Sequence, residues 1–113
     1  MLISDAIDQF LEYLEIEKNS SKLTIRNYRH YLNRLLYFCS KLSPPLTDAG
    51  KISNEAIRSY RLFLSRISDS RNMTLKKITQ NYHLIALRAL LRYLIKRDNQ
   101  TLNPEKVELG KAE

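Results

Sequence analysis

The chain has 113 residues, 43% of them hydrophobic, a length and content that fit one globular domain able to bury a core without metal or disulfide staples. Only two glycines and three prolines occur, which argues against a many-stranded sheet and favours helices. Nineteen basic residues against twelve acidic ones give a net charge of +7, which makes an anionic partner the first expectation.

The first two predicted helices are separated by a short polar break. Ser4 is the predicted cap of a first helix over residues 5–17, whose apolar side chains recur at helical spacing. Ser21 is the predicted cap of a second helix over residues 22–41. Pro44 and its neighbour cannot continue that helix, so residues 43–51 are a predicted loop.

Two further helices follow. Ile52, Ser53 and Ile57 match a hydrophobic staple around an N-cap, which predicts a third helix from this point. Thr74 is the predicted start of a long fourth helix, whose second half is apolar on most of its circumference and is therefore central. The pattern ends before residue 103, so we predict an all-α four-helix domain over 1–102 and a linker over 103–113.

A single cysteine, Cys39, lies in an apolar stretch and is predicted to be a reduced core residue. The chain start lacks the basic residues of a secretory signal, and the apolar stretch over 84–95 is interrupted by two arginines. We therefore expect a cytoplasmic protein without a membrane partner.

Charge alternates in blocks along the chain. Residues 1–17 hold five acids and no base, whereas 18–47 hold six bases and no acid. Residues 70–97 hold seven bases and again no acid. Two positive segments therefore coincide with the second and fourth predicted helices.

The sequence contains no evident catalytic or cofactor pattern. His30, Cys39 and His83 are too far apart to form a chelating pair, so no metal site is predicted. The acids of the first helix fit a solvated face, and the two glycines cannot build a phosphate loop. We predict no cofactor and no small-molecule substrate.

The second helix carries a basic row that could follow a phosphate backbone. Lys22, Arg26, Arg29 and Asn33 recur at spacings that project in one direction. Ser21 and Thr24 add hydroxyl groups at the helix start, where backbone amides attract phosphate. An ordinary solvated face explains the same row equally well.

The fourth helix begins with polar side chains that could read a DNA groove. They are Lys76, Lys77, Thr79, Gln80 and His83. For Gln80 and His83 the alternative is an exposed residue without a role. Arg88 and Arg92 either bind phosphate or extend around a crowded core.

These patterns resemble the N-terminal core-binding, SAM-like domain of tyrosine site-specific recombinases and phage-type integrases. The resemblance covers nearly the whole chain. It rests on Ser21-x-x-Thr24-x-x-x-Tyr28-x-x-x-Leu32 and on the run from Asn81 to Leu94, followed by Asn103-Pro104. Tyr82 and Ile85 depart from the arginine and the serine that are common at these positions in the family.

The resemblance implies a domain that forms half of a DNA clamp, with its second and fourth helices facing the major groove. Catalysis would belong to a separate C-terminal domain, because a His-x-x-Arg motif and the other catalytic residues cannot be placed in this chain. Duplex DNA and other recombinase protomers are the implied partners. Two alternatives stay open: a helical protein-interaction module with an acidic partner, and an enzyme complete in itself.

Overall fold

The computed structural model describes residues 1–110, which form four α-helices and two short 3-10 turns. The helices are α1 (Ile3–Ile16), α2 (Lys22–Ser40), α3 (Asn54–Arg66) and α4 (Lys77–Lys96), and the turns are Ala49–Lys51 and Pro104–Lys106. Two isolated bridges are the only β pairing among these residues. The predicted all-α, four-helix class is confirmed.

Two helix starts lie where local chemistry predicts them. The Ser21 Oγ accepts a hydrogen bond from the Thr24 amide at 3.1 Å, and the Ser53 Oγ accepts one from the Ala56 amide at 3.1 Å. Each serine thus satisfies an amide that the first helical turn leaves unpaired. Ile52 and Ile57 are both buried beside the second cap, as a staple requires.

The other two starts differ from the prediction, and neither helix has a side-chain cap. α1 begins at Ile3, not Asp5, and the Ile3 amide donates to the Thr47 carbonyl at 2.8 Å. Ser4 therefore lies inside the first turn. Thr74 bridges to Ser68 in the preceding loop, so α4 begins three residues later, at Lys77.

α4 is the central helix, as predicted, and packs against α1, α2 and α3. Its buried face includes Leu84, Leu87, Leu90, Leu91 and Leu94. Cys39 is also buried, which confirms its core position, and burial raises the pKa of its thiol to about 11. No helix within residues 1–110 combines the length and the apolar content needed to cross a bilayer.

Residues 103–110, called the strap below, pack back along α4. The Arg92 Nη2 lies 3.1 Å from the Glu105 Oε1, Arg88 donates to the Val107 carbonyl, and the Asn81 side chain bonds Gly110. Because the strap rises in number as its α4 partners fall, it runs antiparallel to the helix.

The predicted domain limit at residue 102 therefore differs from the structure. Val107 is completely buried and Pro104 is buried too, so the packed unit extends at least to Gly110. The polar, aperiodic sequence of this segment does not indicate the buried valine or the hydrogen bonds that α4 side chains form with the strap backbone. The last part of the predicted linker, 111–113, lies outside the described residues.

Candidate nucleic-acid interface

The predicted basic row of α2 is exposed. Lys22 and Arg26 form no ion pair with any of residues 1–110. The Arg29 Nη1, in contrast, lies 3.6 Å from the Asp8 Oδ1 of α1, with both side chains more than half exposed. An exposed pair of this kind is worth at most about 1 kcal/mol, so a phosphate could displace Asp8.

Two hydroxyl groups lie at the start of α2. The Ser21 Oγ donates to the Thr24 Oγ1 at 2.9 Å while it caps the helix. Both side chains are exposed. The first turn of α2 contains no acid that would oppose an anion at this positive helix end.

The start of α4 presents two lysines beside helix amides that no side chain caps. Lys76 is the N-cap residue and makes no side-chain cap bond, and the first turn contains no acid. Lys77 lies where the strap ends, since a Cβ on Gly110 would come within 3.1 Å of the Lys77 Cδ. Both lysines are exposed.

Thr79 and Gln80 are half-buried, and one group of each is engaged in a local hydrogen bond, the backbone carbonyl of Thr79 and the side-chain amide of Gln80. The Gln80 Nε2 donates to the Leu75 carbonyl at 3.0 Å, and the Thr79 carbonyl accepts from the His83 Nδ1 at 2.7 Å. Contact of the Gln80 amide with a base therefore requires it to leave Leu75.

The position of His83 contradicts its predicted place on the reading surface. Only 1% of this side chain is exposed. Arg34 has no acceptor nitrogen, so its Nη1 donates to the His83 Nε2 at 3.0 Å, which leaves the ring proton on Nδ1 for the Thr79 carbonyl. Burial, together with the positive charge of Arg34, lowers the pKa of His83.

Arg88 packs against the core, which was one of the two alternatives for it. Its guanidinium is half-buried beneath the strap and donates to the Val107 carbonyl. Arg92, one turn later, is exposed and pairs with Glu105. In this arrangement Arg88 holds the strap, and its exposure to a ligand is limited by that contact.

A groove lies between α2 and α4, and no sequence pattern predicted it. It is a cavity of about 370 Å³ lined by Thr24, Asn27, Tyr28, Tyr31, Tyr82 and Ile85. The predicted row on α2 points toward α1, as the Arg29 contact shows, and the groove residues of α2 lie roughly opposite at about 100° per residue. No pattern within α2 alone indicates which side meets α4.

A second cavity, of about 300 Å³, lies between α3 and the start of α4. Arg58 and Arg61 of α3 line it together with Lys77. The arginines belong to residues 48–69, which hold three acids and four bases and lie outside the two positive segments. Their approach to Lys77 depends on tertiary packing and has no signature in the sequence.

Helices α2 and α4 both carry charged side chains of positive sign only. Neither α2 nor α4 contains aspartate or glutamate, whereas each contains four lysines and arginines. One acid of α1, Asp8, meets the basic row at Arg29. Within residues 1–110 no cluster of three or more histidine, cysteine or acidic side chains could hold a metal ion.

Comparison with known proteins adds a family. A family model described as phage integrase, N-terminal SAM-like domain, matches residues 7–98. Tyrosine recombinase XerC of Shigella dysenteriae is 29% identical over 103 residues, which cover 88% of this chain and 31% of the relative. XerC of Leptospira interrogans is 29% identical over 102 residues, covering 90% of this chain and 30% of the relative. The chain therefore spans less than a third of these relatives.

A solved structure shares the fold. The N-terminal domain of a phage integrase/site-specific recombinase from Haloarcula marismortui superposes with a TM-score of 0.80 and covers 97% of both chains. Its sequence identity is 19%, so this likeness supports the architecture alone.

Proposed function

The chain belongs to the family of phage integrase N-terminal SAM-like domains, and we propose that it binds duplex DNA as the clamp domain of a tyrosine recombinase or integrase. The observation that carries the proposal is that two adjacent helices lack acids and present exposed bases that form no ion pair with any of residues 1–110. These bases are Lys22 and Arg26 on α2 and Lys77 on α4. A surface of one sign attracts a polyanion and raises its association rate.

In this proposal exposed bases bind the phosphate backbone and fix the register of the domain. Lys22 and Arg26 act from α2, and Lys76 and Lys77 act from the start of α4. Arg29 joins them by exchanging Asp8 for phosphate. Ser21 and Thr24 donate from the start of α2, while Thr79 and Gln80 lie at the edge of the surface.

Two residues of the predicted surface have indirect roles here. His83 stays in the core and positions Arg34, and Arg88 holds the strap against α4. Neither needs to touch DNA for the surface to form.

Recombination belongs to the whole parent protein in this proposal, with strand cleavage in a part other than this domain and other protomers as partners on DNA. Family membership and the XerC relatives support this assignment. The acidic face of α1 is the proposed contact for neighbouring protomers. Location in the cytoplasm stays a prediction from the sequence.

Fluorescence anisotropy of a labelled duplex, titrated with the chain at several salt concentrations, tests the proposal. If about six phosphates are neutralised, the logarithm of the affinity falls with the logarithm of salt at a slope of about −5. Replacement of both Lys76 and Lys77 by alanine lowers that slope by up to about 2.

The competing module with an acidic protein partner gives a different result. Unlabelled duplex and poly-glutamate, added at equal total charge, should displace the labelled duplex unequally, with DNA the stronger competitor. Stronger competition by poly-glutamate, or no duplex binding at low salt, would overturn the proposal in favour of that module. Cleavage of DNA by the pure chain would support an enzyme complete in itself.

A further inference from the structure

The groove between α2 and α4 has one apolar wall that remains in contact with solvent. Tyr82 is 44% exposed and Ile85 is 39% exposed, although both belong to the central helix. Ile78 lies one turn earlier and is 48% exposed. Spacings of four and three residues place these side chains in one row on α4.

The opposite wall, on α2, mixes polar and aromatic groups. Thr24 and Asn27 are exposed there, and the Tyr31 ring lies 6.2 Å from the Tyr82 ring between centroids. The Asn27 carboxamide has no hydrogen-bond partner among residues 1–110. One groove thus offers both an apolar contact and an unengaged amide.

The charge around the groove indicates what covers it. Both helices that form its walls lack acids, so no carboxylate on either wall repels an anion. An apolar groove between two positive helices is complementary to a polyanion that also presents an apolar group. In duplex DNA that group is the thymine C5-methyl, which lies in the major groove.

We propose that the α2–α4 groove selects thymine in the half-site, with Tyr82 and Ile85 contacting its C5-methyl group. Asn27 is placed to bond a neighbouring base edge, as asparagine does with adenine N6 and N7. This inference rests on the proposed binding of duplex DNA. It adds a sequence preference that phosphate contacts alone cannot supply.

The test removes the thymine methyl group from the DNA and, separately, the isoleucine side chain that is proposed to contact it from the protein. Duplexes selected for tight binding from a randomised pool are resynthesised with deoxyuridine replacing thymidine, one position at a time. The replacement deletes only the C5-methyl and preserves base pairing. We expect a three- to fivefold loss of wild-type affinity at one or more positions, in line with about 0.8 kcal/mol for a buried methylene-sized group.

Two isoleucines of α4 provide a matched pair of variants. Ile85→Ser should lose discrimination between thymidine and deoxyuridine at that position. Ile95→Ser should retain it, because Ile95 is similarly exposed, at 43%, but lies near the other end of the helix. Circular dichroism on both variants checks that each is folded.

Four results would overturn the inference. Wild-type binding that is salt-dependent but indifferent to every thymine methyl would remove the inference and leave the proposed function intact. Equal discrimination by Ile85→Ser and wild type would exclude this groove as the reader. Self-association that Ile85→Ser abolishes, without a response to the methyl, would assign the groove to a second copy of the chain. Failure to bind any duplex would remove the inference and the proposed function together.

Discussion

Replacing Asn81 by alanine should release the end of the strap and destabilise the domain. The Asn81 side chain is 9% exposed, its Nδ2 donates to the Gly110 carbonyl at 2.7 Å, and its Oδ1 accepts from the Gly110 amide at 2.9 Å. Each such bond contributes about 1 kcal/mol net, so loss of both costs about 2 kcal/mol. Gly110 is half-buried, and water that reaches its backbone reduces the cost toward about 1 kcal/mol.

Thermal and urea unfolding followed by circular dichroism measure this loss. A cost of 1–2 kcal/mol lowers the midpoint of a domain of this size by roughly 5–15 °C. Alanine also favours a helix by several tenths of a kcal/mol over asparagine, so Asn33→Ala, at an exposed position of α2, serves as the control. Hydrogen exchange of the Gly110 amide should accelerate in Asn81→Ala alone.

Equal midpoints for Asn81→Ala and Asn33→Ala, with unchanged exchange at Gly110, would refute this reasoning. Such a result would mean that residues 103–110 behave as the free linker that the sequence predicts.

Two further predictions concern the core histidine and a helix cap. Because the folded state holds the pKa of His83 below its ordinary value of about 6.5, the unfolded chain binds more protons below that pH, and stability present above it is lost as pH falls. Urea unfolding at pH 7.5 and 5.5 should show this loss of stability in the wild type and in the control His30→Gln. The loss should be smaller in His83→Gln. An equal loss in His83→Gln would contradict the assignment of the pH effect to His83. Ser53→Ala should cost about 1 kcal/mol in urea unfolding by removing the cap of α3, whereas Ser59→Ala, at an exposed position within that helix, should cost much less.

The sequence predicts well those helix starts and loops that neighbouring residues determine. The caps by Ser21 and Ser53 and the loop around Pro44 follow from chemistry within a few positions of the chain. The start of α1 depends instead on the Thr47 carbonyl, more than forty residues away, and therefore lies two residues before the predicted start. Boundaries that depend on neighbouring residues are thus predicted correctly, and a boundary that depends on a distant contact is not.

The candidate interface shows the same division. Lys22, Arg26 and Lys76 are exposed, as expected for charged residues on the polar side of a helix. His83 looked equally available, yet it is buried because Arg34, 49 positions earlier, satisfies one ring nitrogen. Arg88 likewise finds its partner in the strap. A polar side chain with a distant partner cannot be distinguished from a surface residue by sequence alone.

The salt dependence of duplex binding by a matched pair of quadruple variants tests the central claim most directly. One variant replaces Lys22, Arg26, Lys76 and Lys77 by alanine. The other replaces four exposed bases that lie outside α2, α4 and the caps of these two helices. They are Lys18, Lys51, Arg66 and Lys106. Both remove four positive charges, so net charge alone predicts the same loss.

We expect the first variant to lose up to about 3.6 units of the log–log salt slope, at about 0.9 per phosphate contact, and the second to keep the wild-type slope. Equal slopes for the two variants would show that DNA responds only to overall charge, which would contradict a specific interface on α2 and α4.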